Sequence, residues 1–485
     1  MAKVRKRNFP GLPLLDKLYG KRRDCGGVST MRLGWCSGAG LAVSVLLLWL
    51  PVGAGGGEMS LADCIDIALE NNLTILGRKE AVIEAQTGIS EARSGFLPNL
   101  SLLGMYNFAE KVQSISFPMV AMADSVPVVT TMDVEADFTT DYDFTLELNQ
   151  PLYTGGRLSG SYKLAKYARE MAEADLAIGQ ADVAEQVIEA FYGLLLARES
   201  VTVARQAIET AEEFLRIVKA RYDAGEASSF EVLRAEVEVS NLQPALVRAE
   251  NAVALSELAL KTVMGTDPDE HIDFSGSLSQ EAFDVDLGAA LQSALDNRAE
   301  LRMIEVQKEM AGQGIKLAKA ARLPTLSLSA SYKFRADDLT IDSDRIEETY
   351  AGYLVLSLPL FDGFKAKSQI SGAYSQLRQA DLARAGLEDV IELEVRSAYL
   401  EIDAALETLK SQEKNIEMAE EGLEIANERY LQGYATNLEV MDAQLALTRA
   451  RNNRIQALHD LSLAVARAKR SMGVLLNDYK AGARS

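Results

Sequence analysis

The chain has 485 residues, a formal net charge of −20 and only 7% aromatic residues. A quarter of it is charged, a mix that suits long helices better than a dense globular core. The acidity, with no Lys/Arg block interleaved with aromatics, excludes a polyanion ligand and nucleic acid as partners.

Residues 1–57 read as an export signal and linker. Nine Lys and Arg precede residue 33, in "KVRKR" and "GKRRD" among others, and the apolar run Leu41–Leu50 follows. A spanning helix needs roughly 20 apolar residues, so this shorter run predicts a cleaved signal rather than an anchor. Cleavage is expected near Ala54, and Met31 can serve as the start. Cys25 and Cys36 leave with the signal, and Cys36 precedes the apolar core instead of following it, so no lipid anchor is expected. Cys64 then stands alone, without a disulfide partner, as a small apolar helix residue.

The remainder is duplicated. A first repeat at 58–265 and a second at 286–473 flank a linker at 266–285, and a short tail occupies 474–485. Each repeat opens with a helix, at about 60–95 and 286–321, that ends before a Leu-Pro, because the residue preceding Pro leaves the helical region. Strands follow. In Leu326–Phe334 apolar residues alternate with Ser327, Ser329, Ser331 and Lys333, and Tyr353–Phe361 puts Leu354, Leu356, Leu358 and Leu360 on one side. The matching strands of the first repeat are Leu100–Phe108 and the run from Phe144 to Leu152. An 18-residue excess between Phe108 and Phe144 predicts a longer loop there.

"QPLYTGGR" (Gln150–Arg157) then matches "LPLFDGFK" (Leu358–Lys365) at an offset of 208, marking strand-to-helix junctions at Pro151, Gly155, Pro359 and Gly363. From Arg157 to Asp223 no Pro occurs. Val201, Ala204, Ile208, Ala211, Leu215, Val218 and Tyr222 step by 3 and 4, a coiled-coil seam repeated from Leu409 to Tyr430. Gly225 and Gly433 fit left-handed helix ends. Ser228 or Ser229, and Thr436 or Asn437, fit N-caps of returning helices. "RYDAGEASS" and "RYLQGYATN" are thus predicted to be tips of antiparallel helical hairpins.

Strands of 9–11 residues with one apolar face match transmembrane β-strands. A bilayer admits no open sheet edge, so four strands per chain demand oligomerisation, and three chains would supply twelve. The duplicated order of helix, Leu-Pro strand, strand with a Pro-Leu-aromatic-x-Gly junction, long helix and "RY…G" tip resembles the TolC family of outer-membrane efflux proteins over nearly all of 58–475. The resemblance implies a mainly α fold with a β-barrel part. A homotrimer would form a 12-stranded barrel in outer-membrane lipid above a long α-helical periplasmic tunnel. It also implies passive export when docked to a periplasmic adaptor (membrane fusion protein) and an inner-membrane transporter, in tripartite efflux or type I secretion.

Carried over by position, the resemblance puts a ring of gate carboxylates on Glu439 and Asp442, and a gate tyrosine on Tyr430. The family's gate arginine falls near Ala435, which leaves Glu231 and Arg234 of the first repeat as substitutes, with Arg234 facing Asp442 or Glu439 across protomers. Adaptor docking is expected at Tyr222, Gly225, Ser228, Gly433 and Thr436. No nucleophile–base pair, metal-ligand pattern or cofactor motif stands out, which argues against an enzyme; His271 reads as a surface-loop residue and His459 as structural. The competing class is a periplasmic coiled-coil adaptor or poreless scaffold, which should carry one long hairpin rather than two equivalent repeats with membrane-length strands.

Overall fold

The computed structural model describes residues 58–107, 113–123, 126–136, 141–280, 283, 285–336 and 346–482, all within one unit. The export-signal reading of residues 1–57 lies outside the described residues.

Helices dominate. The first repeat runs α1 (Leu61–Asn71), α2 (Leu73–Ser94), β1 (Asn99–Asn107), β2 (Gln113–Ala123), β3 (Val126–Ala136), β4 (Asp141–Tyr153), α3 (Arg157–Asp223) and α4 (Ser229–Met264). The second runs α5 (Leu287–Asn297), α6 (Ala299–Ala320), β5 (Thr325–Ala336), β6 (Ile346–Ser357), α7 (Lys365–Leu431) and α8 (Asn437–Ser471), followed by α9 (Leu475–Gly482). Both long helices have 67 residues, about 100 Å at the α-helical rise. No described helix is long and apolar enough to cross a membrane.

Three sequence expectations are corrected. The opening helix of each repeat is two helices. Asn72 ends α1 in an extended conformation, and its Oδ1 accepts from Thr74 N at 2.8 Å to cap α2. Arg298 breaks α5 from α6 in the same extended way. The excess in the first repeat is not a plain loop, because β2 and β3 pair there as an antiparallel two-stranded sheet. Finally, β6 lies earlier than expected and stops at Ser357. Leu358–Phe361 leave the sheet, where Pro359 offers no N–H. Its counterpart β4 carries Pro151 inside the sheet, at a bulge between Pro151 and Tyr153.

The main sheet has the order β1-β4-β5-β6, all antiparallel. The register aligns like with like. Leu100, Leu148, Ala330 and Gly352 form one row, and Leu102, Leu146, Tyr332 and Tyr350 another on the same face. Ser101, Glu147, Ser331 and Ala351 form a row on the opposite face. Asp143 pairs across strands with Arg335 at 3.0 Å, which opposes a one-residue slip. In the single chain the apolar face is open, with Leu100, Leu102, Leu354 and Leu356 exposed, and among the described residues β1 and β6 are unpaired edges.

The helical body has its main core where α1, the middle of α3 and the end of α4 meet. Cys64, Ile75, Val187, Ile188, Leu194, Leu260 and Met264 are fully buried there, with Phe274 and Leu475. Burial pushes the Cys64 thiol up to about 12, so it stays a neutral packing group. Between the repeats the chain is held at Phe274, where Arg198 Nη1 donates to Phe274 O at 2.6 Å and Met59 bridges to Phe274. The α3–α4 and α7–α8 hairpins each pack on themselves, and α3 also packs on α6 and α8, joining the repeats.

Candidate functional site

Local chemistry builds the two hairpin tips identically. At the end of α3, Gly225 has φ +80, Gly225 N donates to Tyr222 O at 2.9 Å and Glu226 N to Arg221 O at 2.8 Å. At the end of α7, Gly433 has φ +79, with Gly433 N on Tyr430 O at 3.0 Å and Tyr434 N on Arg429 O at 2.8 Å. This double closure satisfies the last carbonyls, and the positive φ favours glycine. Each returning helix starts with a capping box, Ser228 with Glu231 and Thr436 with Glu439, in which the carboxylate also binds the cap residue's N–H. The N-caps are therefore Ser228 and Thr436, not Ser229 and Asn437.

Tertiary packing makes the tips different. Tyr430 is buried, 3% exposed, with Phe214, Val218, Ala235, Leu423 and Val440. Its ring lies 5.1 Å from that of Phe214, and the Arg221 guanidinium sits over it at 4.8 Å. Arg221 Nη1 also donates to Tyr430 O, and the Tyr430 hydroxyl donates to Glu231 Oε2 at 3.0 Å. Asn437 Nδ2 donates to Glu231 O at 3.0 Å. Tyr222, the sequence equivalent, is 47% exposed, so only the second of the two seams buries its last residue within the chain.

Electrostatics follow the geometry. Burial, then the hydrogen bond to the Glu231 carboxylate, push the Tyr430 hydroxyl up to about 12. Desolvation is the largest single influence on Glu231 and raises its pKa. The donors from Ser228 N–H, Ser228 hydroxyl and Tyr430 hydroxyl, with nearby Arg221, together bring it below the usual carboxylate range. Glu439 is lowered by the Thr436 N–H and hydroxyl.

The expected gate carboxylates are thus unlike one another. Glu439 is exposed, and its Oε1 is held by Thr436 N and Oγ1, each at 3.1 Å. Asp442 is exposed on the next turn. Arg234 is half-exposed and forms no ion pair within the described residues. Arg221, Phe214 and Asn437 complete the site beyond the residues that the sequence marks. The repeated Arg-Tyr pair is the signal for Arg221, but nothing local says that it reaches into the other repeat.

At the opposite end of the long helices, Gly155 and Gly156 have φ +62 and +88, while Gly363 and Phe364 have φ +64 and +67. A Cβ on Gly155 would come within 2.7 Å of Leu323 Cβ, so the first junction is wedged against the second repeat. Nothing lies within 4 Å of the same position on Gly363. Among the described residues no His/Cys/Asp/Glu group could hold a metal ion.

Known proteins share the sequence family and the fold of this chain. The family model described as outer membrane efflux protein matches residues 64–266 and 290–474. The chain is 24% identical over 396 residues to outer membrane efflux protein BepC of Brucella suis biovar 1, covering 79% of this chain and 85% of BepC. It is 27% identical over 321 residues to the cobalt-zinc-cadmium resistance protein CzcC of Cupriavidus metallidurans, covering 63% and 71%. The crystal structure of the outer membrane protein VceC from Vibrio cholerae superposes with a TM-score of 0.66 at 19% identity, covering 85% of this chain and 96% of VceC.

Proposed function

The chain belongs to the outer membrane efflux protein family, and we propose that three copies form one continuous export duct. As a family member it is an outer-membrane efflux channel component and not an enzyme. The observation that carries the trimeric reading is the sheet. Four strands share one apolar face, open in the single chain, and end in two unpaired edges. Lipid satisfies the face but not the edges, so β6 of one copy pairs with β1 of the next until the sheet closes. The helical hairpins continue below as a periplasmic tunnel. Its tips meet a periplasmic adaptor served by an inner-membrane transporter, of the efflux or type I secretion kind. The small residues around Gly225 and Gly433, with Ser228 and Thr436, leave room for a partner hairpin to pack closely.

The tips also close the duct. Asp442 from three copies lines the constriction and attracts cations, because like charges held close together raise the local concentration of counter-ions. Glu439, held at its own helix N-terminus, contributes less to that field than Asp442. Arg234, at the matching position of the first repeat, offsets it.

The trimeric reading is tested in outer-membrane fractions. A heat-modifiable trimer that conducts in planar bilayers is expected, and a soluble monomer without conductance overturns it. For the gate, Asp442→Asn should shift the single-channel reversal potential toward lower cation preference. An unchanged reversal potential would remove Asp442 from the constriction.

A further inference from the structure

The chain contains one copy of a contact whose other half is left open. Within the chain, the second repeat inserts Tyr430 into a receptor made by the first: the Arg221 guanidinium over the ring, Phe214 beside it, and Glu231 Oε2 on the hydroxyl. At the offset of 208 that relates the long helices, the second repeat presents its own receptor, Arg429, Gly422 and Glu439, and the first presents its own insert, Tyr222. The parts are in the right state. Glu231 divides its carboxylate, Oε1 to Ser228 and Oε2 to Tyr430. Glu439 likewise gives Oε1 to Thr436, and its Oε2 has no partner among the described residues. Tyr222 is half exposed, and its hydroxyl has no partner among the described residues.

We propose that Tyr222 of one copy inserts at the Arg429–Glu439 receptor of the adjacent copy, donating its hydroxyl to Glu439 Oε2 and completing the tip seam between subunits. This rests on the trimeric reading, since a repeat-on-repeat contact that recurs head to tail generates a ring. The occupant is a second copy of this chain because the first repeat's insert has the same Arg-Tyr-x-x-Gly spelling as the one already seated.

The two seams are unequal. Gly422 stands where Phe214 walls the ring, Ser229 where Asn437 reaches Glu231 O, and Ala426 where Val218 is buried. An added Cβ on Gly422 would meet nothing within 4 Å, so the receptor between copies lacks a wall. The seam between copies therefore opens before the seam within a copy, and the duct widens between subunits.

The test joins cysteines at Tyr222 and Glu439 with a short bismaleimide, in full-length trimers carrying Cys64→Ser. The pair Tyr430→Cys with Glu231→Cys serves as the intrachain control. Covalent dimers and trimers on denaturing gels are expected for the first pair and internally linked monomers for the control. Native trimers in which only the control links overturn the seam and leave the trimeric reading standing; absence of native trimers overturns both. As a second measurement, Tyr222→Phe should raise resting conductance by about ten-fold, one charge-assisted hydrogen bond per copy. Adding Glu439→Gln should then raise it little further. Full additivity of the two would refute the bond.

Discussion

The first hairpin tip ends in an exposed tyrosine and the second in a buried one, although both follow the same Arg-Tyr-x-x-Gly pattern. The turn and cap are local devices, so they are the same in both tips. The fate of the tyrosine is set by its neighbour. Tyr430 is packed into the first repeat, whereas Tyr222 stays half exposed. The body of the helices shows the same inequality. Asn72 caps α2 and donates to Val263 O at 2.8 Å. Arg298, its counterpart, is buried and pairs with Glu300 at 3.0 Å and Glu394 at 2.6 Å, close to Arg470 and Asp182. A duplicated chain thus keeps its local grammar and spends its sequence differences on contacts between repeats.

The largest expected effect breaks the comparison at its centre. Tyr430→Ala should cost about 3–5 kcal/mol in tip stability, as for other buried aromatics. Tyr222→Ala should cost under about 1 kcal/mol in separated chains. Hydrogen exchange at the tips reads both, and equal losses would erase the asymmetry. Next, Arg298→Ala should destabilise by about 2–3 kcal/mol, because it leaves the half-buried Glu300 with one cation fewer. Asn72→Ala should cost about 1 kcal/mol, the loss of a cap. Thermal unfolding of the two variants ranks them. Tyr430→Phe keeps the ring and removes the bond to Glu231, for about 1–2 kcal/mol.

The pH dependence sharpens the same point. The Tyr430 pKa is raised in the folded tip to about 12 from an ordinary 10.0, so its contribution is complete below about 10 and fades as pH climbs toward about 12. Glu231 is lowered, so its contribution is complete above the ordinary carboxylate pKa and is lost as pH falls through its depressed value. Opening of the second tip, read as exchange corrected for its intrinsic pH dependence, should rise at both extremes. Tyr430→Phe should abolish the alkaline rise and Glu231→Gln the acid one. The symmetric effects are small: Ser228→Ala and Thr436→Ala should each cost about 1 kcal/mol, and alike, since both remove a capping box.

Much of this was legible in advance. The absence of Pro from Arg157 to Asp223, the 3,4 stepping of the seam, and Gly225 and Gly433 place both hairpins and their turns, while the caps stay open between Ser228 and Ser229 and between Thr436 and Asn437 until the structure selects Ser228 and Thr436. Those signals are local, because capping and handedness depend on a few adjacent dihedrals. The β2–β3 hairpin does not follow from comparing the repeats, because the excess inside the first repeat has no counterpart in the second and shows there only as added length. The early end of β6 was missed because Pro151 and Pro359 sit in matching motifs, and only the neighbouring strand decides whether a proline is absorbed by a bulge.

From the sequence alone came the duplication, the helical hairpins, the amphipathic strands and the kind of residue at each tip, since periodicity and caps act over one or two turns. The tertiary structure alone decided that Tyr430 is buried and Tyr222 is not, that Arg221 reaches across 209 positions to hold it, and that Glu439 is tied to its own helix while Asp442 is not. Burial and pairing depend on which surface lies opposite, and two identical spellings meet different surfaces.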